Sequence, residues 1–252
     1  MPTQPHFLRR IWLELRSYPF VSVFVLLVLL VIPALTADWL APHDPIFGVI
    51  MDRRLPPVFF GGTWEYPLGT DRLGRDILSR IMYGARVSLS ISLVGIFVGG
   101  LLGVSLGMLA GYFRGWIDTF IMRLVEISLA LPAILLALVL AAATGPSFQK
   151  IIVVVAFVLW ALYARQVRGE VLSIRERDYV ARARVAGASH FRIMVRHILP
   201  NVANTIIVLA TLQVGSVIIL EAALSFLGLG IPRPTPAWGM MVADGRQLIV
   251  SA

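Results

Sequence analysis

Residues 181–201, ARARVAGASHFRIMVRHILPN, hold four arginines and two histidines, with a lone glycine near the middle and a proline near the end. No carboxylate lies within the stretch to neutralise these cations. His190 and His197 stand seven residues apart and lack the H-E-x-x-H spacing of a zinc protease, so they do not make a metal site. The pattern reads instead as two short helices. The first covers 176–186 and stops at Gly187, a residue suited to a left-handed cap. Ser189 can cap the second, in which Phe191, Met194, Val195 and Ile198 fall at i, i+3, i+4 and i+7. That spacing predicts an apolar face opposite Arg192 and Arg196, and Pro200 sets the entry to the next helix. Two readings fit the segment. It is an amphipathic hairpin resting on anionic headgroups, or a docking element that lies in a groove of a soluble partner.

Other chemistry-bearing residues are sparse. The sequence GVSLG at 103–107 matches the G-x-S-x-G nucleophile pattern, but that motif needs a strand–turn–helix elbow and here it falls in the middle of an apolar run. A phosphate-binding loop ends in Gly-Lys-Ser/Thr, and the single lysine, Lys150, follows Gln149. Nucleotide binding is therefore excluded from this chain; if ATP is used, a partner binds it. There is no cysteine, hence no disulfide, iron–sulfur cluster or thiolate zinc site. Ionisable residues in or near apolar runs are functional candidates by default, and here they are Glu126 and Glu221. Arg123 precedes Glu126 by three residues, so an ion pair along one helix can neutralise both. For both glutamates a structural hydrogen bond competes with a place on a transport pathway.

The elements that must position these residues are membrane spans. Of the 252 residues 58% are hydrophobic and the mean hydropathy is +0.84, against about 45–50% apolar residues in a soluble domain. The excess is gathered into long runs at 20–40, 88–110, 121–143, 148–164 and 202–224, lengths that suit crossing a hydrocarbon core of about 30 Å. Residues 41–68 are proline-rich and irregular, an extramembrane loop, and 71–87 reads as a polar or interfacial helix leading into the second span. The domain plan is thus an N-terminal segment 1–19, a first span 20–40, a loop and interfacial helix 41–87, and a core 88–252 that contains the basic loop 165–200. The apolar ending LIV predicts that a sixth span begins there.

Two further features concern helix packing. Gly95, Gly99, Gly103, Gly107 and Gly111 recur at strict four-residue spacing along one side of the second span. In lipid, such a stripe lets two helix backbones approach closely. Pro132 removes a backbone hydrogen bond from the third span and predicts a kink, of structural use or lining a pathway.

Orientation follows from the arginines. The formal net charge is +8, and 21 of the 22 cations are Arg. Placed in loops between spans, they indicate topology and contacts with anionic lipid or protein, not nucleic acid. With the N-terminus inside, segments 1–19, 111–120 and 165–200 are all cytoplasmic, and eight arginines lie in 165–200 alone.

At the basic loop the chain resembles the permease subunits of binding-protein-dependent ABC importers. Their loop reads E-A-A-x-x-x-G, nine further residues, then I-x-L-P. Ala183, Gly187, Leu199 and Pro200 match that pattern, whereas Ala181 stands in place of the glutamate, Arg182 of the middle alanine and His197 of the isoleucine. PLGTDRLGRDILSRIMYGARVSL (67–89), GASHFRIMVRHILPN (187–201) and EAALSFLGLGIPRPTPAWGMMVADGR (221–246) are similar to the second permease subunit of dipeptide and oligopeptide importers.

The resemblance implies an all-α polytopic protein with the type I ABC importer permease fold, normally of six spans in this subunit. It implies a non-catalytic transport subunit in the bacterial inner membrane. Its partners would be a second homologous permease, two cytoplasmic ATPases that hold ATP and magnesium, an extracytoplasmic binding protein, and a peptide substrate. No cofactor would be bound by this chain. Ala183, Arg184, Gly187, Ala188, Ser189, Phe191, Arg192, Met194, Arg196, Leu199 and Pro200 would form the coupling contact with an ATPase. Importers of nickel chelates or glutathione share the architecture. From another class, an ion-coupled transporter or intramembrane enzyme would rest on Glu126, Glu221 and the G-x-S-x-G match.

Overall fold

The computed structural model describes residues 24–251. The basic segment 1–19 and the first residues of the run at 20–40 lie outside the described residues. Among the described residues the protein is all-helical, with one isolated β-bridge between Thr70 and Asp76. The helices are α1 (Phe24–Leu40), α2 (Ile77–Phe113), α3 (Gly115–Ala130), α4 (Ala133–Thr144), α5 (Phe148–Ile174) and α6 (Asp178–Val185). They are followed by α7 (His190–Phe226) and α8 (Trp238–Ser251). Three of them, α2, α5 and α7, are long and apolar enough to cross a membrane, and the bent pair α3–α4 makes a fourth if it is one broken span.

The chain divides into two compact units. The first contains α1, the irregular segment 41–76 and the start of α2. Asp38 on α1 receives a bidentate grip from Arg86 (2.9 and 3.0 Å) and a hydrogen bond from the Tyr83 hydroxyl (2.9 Å), while Arg86 Nε donates to Ala34 O (2.8 Å). The two helices are thereby pinned at one end by a charged fork with matching geometry. The loop between them is ordered despite its prolines. Residues 55 and 58 pair with 70 and 67 through backbone hydrogen bonds, and Asp76 accepts from Ser79 N (2.9 Å) ahead of α2. Tyr66 is buried under this loop; burial pushes its phenol pKa up, and the Asp52 carboxylate that accepts its hydrogen bond adds to the shift.

The separate interfacial helix expected over 71–87 is absent. Helix α2 runs unbroken from Ile77 to Phe113 because no proline interrupts it, so the approach and the span are one element.

In the second unit, the glycine stripe of α2 lies along α5. A Cβ built on Gly95 would come 2.6 Å from Val155, one on Gly99 2.9 Å from Ala156 O, one on Gly103 2.2 Å from Trp160 O, and one on Gly107 2.5 Å from Ala164 O. At Gly111 it would meet Val171 at 2.8 Å. The two series rise together, so α2 and α5 are parallel and their carboxyl ends lie on the same side. Close approach of the backbones yields dispersion contacts that larger residues would forbid. Ala161 and Ala164 of α5 continue the seam into a cluster with Ala110, Ile121 and Val125, which docks α3.

The expected kink at Pro132 is a full break. Leu131 (ψ 136°) and Pro132 (ψ 128°) are both extended, and α3 and α4 meet at 92°. Proline cannot donate to the preceding turn, and it drives the residue before it out of the helical region. Helix α4 then packs through Ala137 and Ala141 on Val154 of α5 and Leu224 of α7.

The seam yields a direct prediction. Gly103→Val forces a side chain into the Trp160 carbonyl and lowers stability by about 1–3 kcal/mol, read as an earlier thermal transition in detergent. Gly100→Ala, whose Cβ would sit 3.7 Å from the Tyr163 ring, leaves that transition unchanged or raises it.

Candidate functional site

The parallel ends of α2 and α5 carry the basic loop. At the end of α5, Arg175 Nη1 donates to Tyr112 O (2.6 Å) and Gly111 O (3.4 Å). These are last-turn carbonyls of α2 with no helical partner, and a cation there also meets the negative end of the helix dipole. About two turns earlier, Arg168 grips Asp118 in the first turn of α3 through two hydrogen bonds of 2.9 and 2.6 Å. The loop therefore starts from a base in which three helix ends are cross-linked.

Helix α6 ends in a Schellman cap. Gly187 adopts φ +79°, its N–H reaches Arg184 O (3.1 Å), and Ala188 N reaches Ala183 O (3.0 Å). Ser189 then caps α7, accepting from Arg192 N at 3.4 Å. The cap and the stop expected at these residues are both present.

The apolar face is not arranged as the spacing predicts. Ile193, Met194 and Ile198 are buried, whereas Phe191 is 72% exposed and Val195 41% exposed. The buried face is turned toward Ile193, and a π-helical turn covers Met194–Ile198. Asn201 Nδ2 donates to the carbonyl of His197 within this turn (2.7 Å).

The outer surface of the loop is cationic and partly apolar. Arg182, Arg184, Arg192 and Arg196 are exposed, as are Val185 and Phe191. Among the described residues, none of these four arginines makes an ion pair. Of the remaining residues assigned to the loop contact, Ala183 and Ala188 are half-buried at the cap, and Leu199 and Pro200 open the long apolar part of α7.

The other sequence candidates are not brought together with this loop. Glu126 is exposed and paired with Arg123 (3.0 Å) along α3. Glu221 is fully buried, where Ser225 Oγ donates to it at 2.6 Å; Ser225 Oγ in turn accepts from Ile231 N (3.2 Å). It holds the turn after α7 in place. Ser105 of the G-x-S-x-G match sits in mid-helix and donates to Leu101 O (2.7 Å), with no elbow around it. Beside the break at Pro132, an apolar cavity of about 390 Å³ opens between Leu129, Ala133, Val158, Gln213, Ser216 and Leu220. No group of three or more His, Asp or Glu able to hold a metal occurs among the described residues.

Three residues central to this base went unnoticed in the sequence, Tyr112, Asp118 and Arg168, and His190 was weighed there only as a metal ligand. Tyr112 and His190 share a hydrogen bond of 2.8 Å across 78 positions. Asp118 and Arg168 are 50 positions apart. The available signals were a lone acid in the turn after α2 and an arginine at the start of the basic stretch that follows an apolar run.

Comparison with known proteins follows from this geometry. The family model described as "Binding-protein-dependent transport system inner membrane component" matches residues 103–252. A di/tripeptide transport system permease protein of Pseudomonas aeruginosa is 42% identical over 227 residues, which is 90% of this chain and 75% of that protein. A glutathione transport system permease protein of Escherichia coli is 38% identical over 237 residues, 94% of this chain and 77% of that protein.

The cap geometry generates a testable expectation. Gly187→Ala meets no neighbour within 4 Å, so its cost comes from the positive φ alone, about 1 kcal/mol. Ser189→Ala removes a long hydrogen bond and costs about 0.5 kcal/mol. Both accelerate amide hydrogen exchange over 186–193, Gly187→Ala more than Ser189→Ala, with the exchange of α5 unchanged.

Proposed function

Because the chain belongs to the family of binding-protein-dependent transport system inner membrane components, we propose that its basic loop is the surface through which ATP-hydrolysing partners drive it. The chain is a non-catalytic permease subunit of an ABC importer for di- or tripeptides or glutathione, and it is a multi-pass inner membrane protein. One observation carries the docking role. An ordered loop, built on cross-linked helix ends, presents Phe191 and four exposed arginines, without ion pairs among the described residues, to its surroundings. A lipid-resting hairpin does not need so stiff a mount, whereas a lever does.

The working scheme follows from that mount. With the N-terminus cytoplasmic, 111–120 and 165–200 face two cytoplasmic ATPase subunits. One of them receives α6 and the start of α7 in a cleft, with Phe191 as the apolar anchor and Arg184, Arg192 and Arg196 toward acidic residues. When ATP closes the ATPase pair, the loop moves as a unit and carries α5 and α7 with it. A second homologous permease packs against this one, and α1 and α8 belong to the first and sixth spans of the subunit. Substrate arrives from an extracytoplasmic binding protein. Peptide is the preferred cargo, with glutathione, itself a tripeptide, as the alternative. An ion-coupled route through Glu126 and Glu221 has no support: one is paired at the surface and the other is a packing residue.

The test uses the complete importer in liposomes with binding protein and peptide. Phe191→Ala and Arg192→Ala each reduce substrate-stimulated ATP hydrolysis at least about fivefold, the loss expected when an interface anchor worth more than about 1 kcal/mol is removed. Unchanged stimulation in both variants overturns the docking role. Competition between dipeptide and glutathione for uptake separates the two cargoes.

A further inference from the structure

We infer that Tyr112 is the positioning residue that locks both flanks of the docking loop to the second membrane-spanning helix. The inference rests on the docking role proposed above and adds a joint to it. Helices α5 and α7 are covalently continuous with the loop, but α2 is not, so α2 can follow the loop only through side-chain or backbone contacts. Tyr112 supplies contacts to both flanks. Its carbonyl accepts from Arg175 Nη1 (2.6 Å), at the start of the loop. Its hydroxyl shares a 2.8 Å hydrogen bond with Nδ1 of His190, the first residue of α7.

The joint is built, not incidental. Tyr112 is 5% exposed although it lies in the last turn of a helix. Its ring meets Phe113 edge-on at 5.1 Å and His190 at 5.6 Å, and Phe113 also meets His190 at 5.7 Å. Such edge-to-face contacts orient the rings as well as holding them. His190 adjoins Ser189, whose hydroxyl caps the same helix end, and precedes Phe191, the exposed anchor. The imidazole, exposed on its other side, thus rests on the end of α2, while the next side chain is free of it. A push on Phe191 passes through one residue to Tyr112 and along α2, whose glycine seam carries it to α5. The coupling runs through a short chain of packed and hydrogen-bonded groups.

Four variants of the reconstituted importer test the joint, each read in two ways. Tyr112→Phe keeps the ring and the carbonyl and loses only the hydroxyl. His190→Ala loses the ring nitrogen, and His190→Asn places an amide group where Nδ1 stood. Amide exchange over 186–193 rises about fivefold in Tyr112→Phe and His190→Ala, the equivalent of one hydrogen bond. Peptide uptake per ATP hydrolysed falls by a similar factor. The double variant Tyr112→Phe/His190→Ala falls no further than either single change, because the two groups act as one. His190→Asn retains at least half of the wild-type ratio.

Unchanged exchange in Tyr112→Phe overturns the joint whatever happens to transport. Faster exchange with an unchanged uptake ratio shows the bond to be structural only, which also overturns it, provided Phe191→Ala uncouples the same preparation. If Phe191→Ala and Tyr112→Phe both leave the ratio intact, the docking role fails and takes the joint with it.

Discussion

The parallel contact between α2 and α5 is the constraint on which the rest of the second unit depends. Five glycines spaced by four residues allow two backbones to touch along a seam that larger side chains would hold apart. Because the helices run the same way, their carboxyl ends finish side by side, and the Gly111 and Tyr112 carbonyls of α2 are within reach of Arg175. Arg168, about two turns earlier, holds α3. In water a hydrophobic core could tolerate a shifted helix at modest cost. In lipid the alternative to backbone contact is lipid tails, which are as apolar as the side chains, so close fit has to supply the stability.

The same seam decides how motion can travel. Helices packed through glycine at this distance have few side chains to reorient and shift as rigid bodies more readily than they bend. Flexibility is concentrated where the structure breaks instead. At Leu131–Pro132 the backbone leaves the helix for two residues and turns by 92°. The apolar cavity beside that break is bounded by α5 and by the part of α7 that carries Gln213 and Ser216. A rigid pair, α2 with α5, thus stands next to a jointed pair, α3 with α4.

Much of this plan could be read from local pattern. The apolar runs at 88–110, 148–164 and 202–224 lie within long helices, because periodic hydrophobicity over many residues outweighs any single position. Gly187 and Ser189 were legible because caps depend on one residue's own conformation or hydroxyl. The ion pair of Arg123 with Glu126 needed only helical spacing. What was illegible is non-local. The glycine stripe announces a partner but not that it is α5, 60 positions on. Pro132 announces a disturbance, but its size was set by Leu131 adopting an extended ψ, which no spacing reveals. The face of α7 was misjudged because burial depends on what packs against the helix, which spacing within it does not show: Ile193 is buried and Phe191 exposed. Tyr112 and His190, separated by 78 positions, carry no mutual signal in a single chain.

The contrast between the buried and exposed halves of the loop has an energetic logic. Leaving Arg182, Arg184, Arg192 and Arg196 without an acid partner among the described residues costs little, since solvated guanidinium groups keep their water. Internal carboxylates would have satisfied them and made a poor docking face. The half against the helix ends is the opposite: Arg168, Arg175, Tyr112 and the partly exposed His190 are all engaged with other helix ends. Ordering a loop at the moment of contact subtracts from binding, so a surface already held in shape keeps more of its contact energy for affinity and for transmitting force. In that light Ala181, where related loops carry glutamate, is consistent with the rest of the face. A carboxylate there would have lain one residue from Arg182 and three from Arg184, close enough to neutralise cations that this chain keeps free.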